Sequence, residues 1–262
     1  MEIVGYLLAA LVGITLGLIG GGGSILTMPI LVYIFSIAPS KATAYSLFIV
    51  GATSLVGAIN NYRNKNVSIS TALYFGVTSI SIVFVTRKFL MPLIPQQLFN
   101  LFGWQVTQSM FIMVLFAILM LFASSSMIKN SPVEIASSGN ENNKIKLLQY
   151  GILVGLVTGF LGAGGGFLLI PVLVMIFKLP MKKAVGTSLL IIALNSLIGF
   201  TGDLGHFKID WQLLFILSAI SIVGIFIGGF LATKIDGNKL KKGFGWFILS
   251  MGVYIILKEL MK

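Results

Sequence analysis

The chain has 262 residues, 57% of them hydrophobic and only 10% charged, with a mean hydropathy of +1.02. A soluble domain carries roughly 25% charged residues, so these are too few to cover a water-facing surface. The net charge of +11 comes from basic residues in short clusters between long apolar runs, the pattern of cytoplasmic loops rather than of a nucleic-acid-binding face. With no cysteine and one histidine, disulfides, thiolate chemistry and multi-histidine metal sites are excluded.

A helix crossing the bilayer needs about 20 apolar residues. The first run, from Ile3, has no basic n-region before it and no small-residue cleavage site after it, so it reads as a retained span rather than a leader. Helical segments are expected at 3–19, 25–37, 42–60, 70–86 and 104–127, and again at 147–161, 167–177, 184–201, 211–232 and 243–260. Between the two sets lies one polar stretch, 129–146, with Ser-Ser-Gly-Asn-Glu-Asn-Asn at 137–143. Its composition is that of a flexible linker outside the membrane. The expected division is therefore 1–128, a linker at 129–146, and 147–262, within one integrated transmembrane domain.

The two sets are related. Shifting the chain by 142 residues aligns 11–69 with 153–211 without a gap, and 21 of the 59 positions are identical. Gly17, Gly20, Gly22, Gly23, Leu26 and Pro29 fall on Gly159, Gly162, Gly164, Gly165, Leu168 and Pro171, and Lys41, Ser46, Ser54 and Gly57 on Lys183, Ser188, Ser196 and Gly199. Shared apolar composition does not align glycines, prolines, lysines and serines together, so the chain reads as an internal duplication. Five segments separate equivalent positions. An odd number inverts the second copy, whether 3–37 is two spans or a re-entrant hairpin. The fold class expected is an all-α polytopic membrane protein of two inverted repeats, the pattern of a secondary transporter. By the positive-inside rule, the side holding Arg63, Lys65, the linker lysines, Lys182, Lys183 and the 234–242 cluster faces the cytoplasm. That leaves both termini outside a multi-pass protein of the cytoplasmic membrane.

The glycine clusters are the strongest chemical feature. Each ends one helix and opens another, so backbone N–H groups at the new N-terminus lack intrahelical partners. Irregular backbone at membrane depth is tolerated where it lines a cavity or is buried in protein. A helix N-terminus attracts anions without needing a cation, and glycine lets a ligand approach the backbone. Gly20, Gly22, Gly23, Ser24 and Thr27, with Gly162, Gly164, Gly165 and Gly166, are thus expected to converge on one midplane anion site. Pro29 and Pro171 either open the half-helices or kink helices begun earlier.

The doubled G-x-x-G-x-G-G-x-x-L-x-x-P signature resembles that of the TauE/SafE sulfite exporter family, as do the length and the central polar linker. The resemblance implies a transporter of sulfite, thiosulfate, sulfoacetate or a related organosulfur anion. It does not fix which anion.

Polar residues within spans are the remaining candidates, because uncompensated polar groups in hydrocarbon are costly. Thr53 and Ser54 match Asn195 and Ser196, while Ser46 matches Ser188 with Thr187 beside it. Such groups donate hydrogen bonds to sulfonate or sulfite oxygens, or serve as interhelical glue. All seven acids fall at helix ends or in loops, leaving no mid-span carboxylate for a proton or sodium relay. Asp203 and His206 are the only acid–imidazole neighbours, a proton shuttle, a gate or a loop ion pair. Lys41 and Lys183, at the start of equivalent helices, are candidate mouth residues. Without a coupling acid, export is the favoured direction, since expelling one negative charge from an inside-negative cell gains about 2.3 kcal/mol per 100 mV.

The expected partners are a small inorganic or organosulfur anion and the lipid bilayer, with room for a homodimer and no nucleic acid, cofactor or metal. A passive channel using the glycine loops as a filter and a carrier of a non-sulfur organic anion are the competing readings. A hydrolase would need a nucleophile–base pair that the chain does not offer, so no enzymatic role is expected.

Overall fold

A computed structural model describes residues 2–101, 104–128, 144–162, 164–232, 234 and 237–261. All ten expected helical segments are present. They are α1 (Glu2–Ile19), α2 (Thr27–Tyr33) after a 3-10 turn at Gly21–Leu26, α3 (Pro39–Arg63), α4 (Ile69–Val85) and α5 (Gln108–Ile128). The second half has α6 (Lys144–Leu161), α7 (Gly166–Pro171) running into a π-turn at Val172–Ile176, α8 (Met181–Asp203), α9 (Trp211–Leu231) and α10 (Gly237–Leu260). Among the described residues, five stretches are long and apolar enough to cross a membrane: Pro39–Arg63, Ile69–Leu93, Gln108–Ser125, Met181–Asp203 and Trp211–Leu231. Large apolar side chains such as Leu7, Phe122, Val223 and Phe230 stand exposed around the outside, where hydrocarbon rather than water satisfies them. The chain is an all-α polytopic membrane protein.

Several boundaries differ from expectation, among them the start of α10, at Gly237 instead of 243. Helix α4 does not stop at 86: it runs through a π-turn at Thr86–Leu90 into Met91–Leu93, carrying Arg87 and Lys88 inside a helix instead of a loop. Ile94 precedes Pro95 and is extended (ψ 116°), as proline demands of its neighbour, and this ends the element. The segment expected as helix from 104 begins at Gln108. Trp104–Thr107 instead pairs antiparallel with Gln97–Leu101. Aromatic and β-branched residues (Phe99, Trp104, Val106, Thr107) favour that pairing, which an apolar run alone does not reveal. The linker lies outside the described residues except for 144–146, which open α6.

Helix packing relies on glycine. At the α1/α9 joint a Cβ on Gly13 would meet the Ser221 carbonyl, and one on Gly17 the Ile225 carbonyl. At the α4/α6 joint a Cβ on Gly155 would lie 2.8 Å from the Ser79 carbonyl oxygen, and one on Gly159 would lie 2.6 Å from Thr86. Small residues let backbones approach where no hydrophobic force drives helices together. Gly155 and Gly159 are the 142-shifted counterparts of Gly13 and Gly17, and Ser221 of Ser79, so the two joints use matched residues.

The central pair, α3 and α8, runs antiparallel. Gly57 abuts Leu189 and Ile225, while Gly199 abuts Leu47 and Val83, again counterparts throughout. Hydrogen bonds repeat the pattern. The Asp210 amide donates to the Tyr45 hydroxyl at 2.7 Å, and the Ser68 amide donates to the Thr187 hydroxyl at 2.9 Å. Each tethers the start of a spanning helix (α9 or α4) to the central helix of the other half. The buried faces of α3 and α8 thereby form the middle of the molecule, with the glycine turns packed against them.

Candidate functional site

Between α1 and α2, and between α6 and α7, the chain reverses through glycine. Gly20 and Gly162 are counterparts, with φ of 74° and 66°. That is left-handed backbone, which L side chains adopt at a cost of roughly 1–2 kcal/mol. After the first turn the chain doubles back along α1. Phe35 packs on Gly5, and its ring centroid is 6.0 Å from that of Tyr6.

The half-helices that follow are short. Helix α2 has seven residues and α7 six, roughly 10 Å each at 1.5 Å per residue. Pro29 sits in the first turn of α2, where its missing N–H costs nothing. Pro171 sits at the end of α7, where the ladder widens into the π-turn. Pro29 thus belongs to the opening turn of its helix, whereas Pro171 falls in a helix begun five residues earlier.

The two glycine turns meet. A Cβ on Gly21 would strike the Gly166 backbone, and one on Gly166 would strike Gly21. The turns also face the central helices. A Cβ on Gly20 would lie 3.2 Å from the Ser188 hydroxyl, and one on Gly164 would lie 3.0 Å from the Ser196 hydroxyl. Gly22 and Gly23 lie within the 3-10 turn, with Gly23 against Thr15 and Leu16, while Gly165 packs on Thr158.

The polar candidates divide by what their hydrogens do. Ser24 donates to the Gly21 carbonyl (2.8 Å), Thr53 to Ile49 (2.7 Å) and Ser188 to Val185 (2.8 Å). These hydroxyls are spent within their own turns, the local bonding common for serine and threonine in helices. Thr27, Ser46, Ser54 and Ser196 are buried with hydroxyls that have no partner, and so is the Asn195 amide nitrogen. The Asn195 carbonyl oxygen accepts from Ser79 at 2.9 Å, and its amide nitrogen has no partner. A buried polar group without a partner costs about 1–3 kcal/mol.

The mouth residues are placed differently from one another. Lys41 and Lys183 are exposed, with the Lys41 ammonium 6.0 Å from the centre of the Phe207 ring. His206 is exposed as well. Asp203 is not in a loop pair with it: the carboxylate is 6% exposed at the end of α8, and its Oδ2 lies 3.3 Å from Arg87 NH1. Glu259, near the end of α10, is likewise buried and accepts from the Tyr33 hydroxyl at 3.2 Å. Among the described residues, Asp203, Asp210 and Glu259 lie near helix ends as expected, but Asp203 and Glu259 lie inside the protein.

The model of the family described as "Sulfite exporter TauE/SafE" matches residues 6–255. The chain belongs to the TauE/SafE family. Among its relatives, a "Probable membrane transporter protein" of Xylella fastidiosa (strain 9a5c) is 30% identical over 252 residues, 95% of this chain and 92% of that protein. Two from Bacillus subtilis (strain 168) are more distant. The "Probable membrane transporter protein YunE" is 27% identical over 98% of this chain and 96% of its own length, and YjnA is 24% identical over 98% and 100%. No solved structure matches the chain. This TauE/SafE protein is a multi-pass membrane transporter.

Arg87 is the residue that sequence reasoning missed. In the TauE/SafE chain it is among the most deeply buried large side chains, 1% exposed. Arg87-Lys88 looked like a charged end to an apolar run. The apolar continuation Phe89-Leu90-Met91 was the available signal that the helix goes on.

Proposed function

We propose that the protein is a secondary transporter exporting small sulfur-containing anions (sulfite, thiosulfate, sulfoacetate or another organosulfonate) by alternating access. The observation that carries the reading is the set of buried donors without partners, on Thr27, Ser46, Ser54, Asn195 and Ser196, of which Thr27 follows the first of two abutting glycine turns and Ser196 faces Gly164 of the second. A sulfite or sulfonate group only accepts hydrogen bonds, through several oxygens. Donors left unpaired in the protein are what such a ligand satisfies, and their desolvation has already been met before it arrives. The Gly20, Gly22, Gly23, Ser24 and Gly162, Gly164, Gly165, Gly166 backbone would supply the remaining contacts. Ser24, Thr53 and Ser188 contribute once their hydroxyls rotate away from their carbonyls.

Inverted repeats at 1–128 and 147–262 account for the matched glycine joints, the matched tethers of Tyr45 and Thr187, and the antiparallel crossing of α3 and α8. A two-fold axis in the membrane plane turns each such helix upside down onto its counterpart. Contact between Gly21 and Gly166 suits a carrier closed at its centre better than a permanently open filter. Export follows the membrane potential, and both termini lie outside. Removing the buried Arg87 from the loop charges strengthens the positive-inside asymmetry.

Purified protein in liposomes tests the reading. Saturable counterflow of labelled sulfite, thiosulfate or sulfoacetate is expected. Linear, non-saturable flux without counterflow would favour a channel and contradict it.

A further inference from the structure

An arginine buried among membrane-spanning helices is costly, and burying its partner with it does not generally repay the cost. The Arg87–Asp203 pair is moreover a poor one. NH1 alone is engaged, at 3.0 Å from the Thr43 hydroxyl and 3.3 Å from Asp203 Oδ2, while Nε and NH2 have no partner. Asp203 Oδ2 has no hydrogen-bond partner. The two-toothed fork that makes arginine–carboxylate pairs strong is therefore not formed.

Nor does the scaffold need the pair. The counterparts of Arg87 and Asp203 under the 142-residue shift are Gly229 and Asn61. Around them, with Gly17, Gly57 and Asn60, is an uncharged recess. One joint of the duplicated framework holds an ion pair where the other holds a small hollow, so the charges serve something the two halves do not share.

The location bears on transport. Thr43, which accepts from Arg87, is packed against Gly162 of the second glycine turn, and a Cβ on Gly202 would lie 3.0 Å from Arg87 Cβ, so the glycine leaves room for the arginine stem. We infer that Arg87 is an anion-binding group of the transport path, its free Nε and NH2 taking two oxygens of the sulfur oxyanion, and that Asp203 holds its place between cycles. The inference rests on the transport function proposed above and adds to it a charged, bidentate contact to two oxygens of the oxyanion. The arriving anion competes with the Asp203 carboxylate for the charge of the guanidinium, and Asp203 alone balances that charge once the anion has left.

The test uses Arg87→Gln, Asp203→Asn and the double variant in liposomes, with labelled sulfite, thiosulfate and sulfoacetate as probes and detergent melting as the folding control. Asp203→Asn removes the internal competitor and lowers the half-saturation concentration several-fold. Arg87→Gln raises it about tenfold or more, the scale of a lost charge-assisted contact. The double variant, which leaves no buried charge unpaired, folds but stays as weak as Arg87→Gln. A merely structural ion pair gives the opposite result: both single variants are impaired alike, and the double variant recovers wild-type half-saturation, which overturns the inference alone. If wild-type protein moves none of the three anions, the transport reading falls first and the inference with it.

Discussion

Replacing Gly164 by alanine probes the second glycine turn at the point where conformation and space both exclude a side chain. Its φ is +66°, and a Cβ would lie 2.9 Å from Ile192 Cγ2 and 3.0 Å from both Val50 Cγ1 and the Ser196 hydroxyl. The left-handed backbone costs alanine roughly 1–2 kcal/mol, and forcing a methyl into a packed site adds about 1–3 kcal/mol. The sum, about 2–5 kcal/mol, is a large part of what holds most domains together. Gly205 offers the control. It too has positive φ (+91°), but nothing lies within 4 Å of its Cβ position, so Gly205→Ala meets strain alone. Detergent-solubilised Gly164→Ala should melt well below Gly205→Ala and, through Ser196, show a raised half-saturation for transport. Equal melting of the two variants would refute the claim that the turn is packed against α3 and α8.

Ser54→Ala and Ser196→Ala each delete a buried hydroxyl without a partner, so each should leave melting unchanged or raise it by up to about 1 kcal/mol equivalent while weakening transport; a loss of stability would mean the hydroxyls are structural. Ser79→Ala removes the donor to Asn195 Oδ1 and should cost about 1 kcal/mol in the same melting assay, with a transport defect beyond that of a stability-matched control variant. At the α1/α9 joint, Gly17→Leu would collide with the Ile225 carbonyl, whereas Gly229→Ala meets nothing within 4 Å; membrane yield should fall for the first and hold for the second. Because the natural chain has no cysteine, Ser138→Cys and Lys262→Cys can be labelled singly in intact cells, and an impermeant thiol reagent should reach the second and not the first.

Much of the architecture was readable because the physics is local and doubled. Apolar run length located all ten helical segments, and the glycine clusters do end α1 and α6, at Gly20 and Gly162. What stayed hidden depended on distant partners. Nothing near Arg87 in the chain says that Thr43 and Asp203 will close around it, and two basic residues in a row look like a loop. Nor does composition show that Trp104–Thr107 will find Gln97–Leu101 and pair as strands. Among the hydroxyls, residue type names the candidates, but only the fold separates Thr53 and Ser188, which bond back to their own helices, from Ser54 and Ser196, which do not.

The central claim is that an anion leaves through this protein, driven by the membrane potential. Vesicles loaded with labelled sulfite, thiosulfate or sulfoacetate and given an inside-negative potential of about 100 mV would supply about 2.3 kcal/mol per exported charge. At least one of the three should leave faster than from protein-free vesicles, at a rate that saturates with internal concentration and slows when the potential is collapsed. Efflux indistinguishable from protein-free vesicles for all three anions, with inserted protein verified, would contradict it.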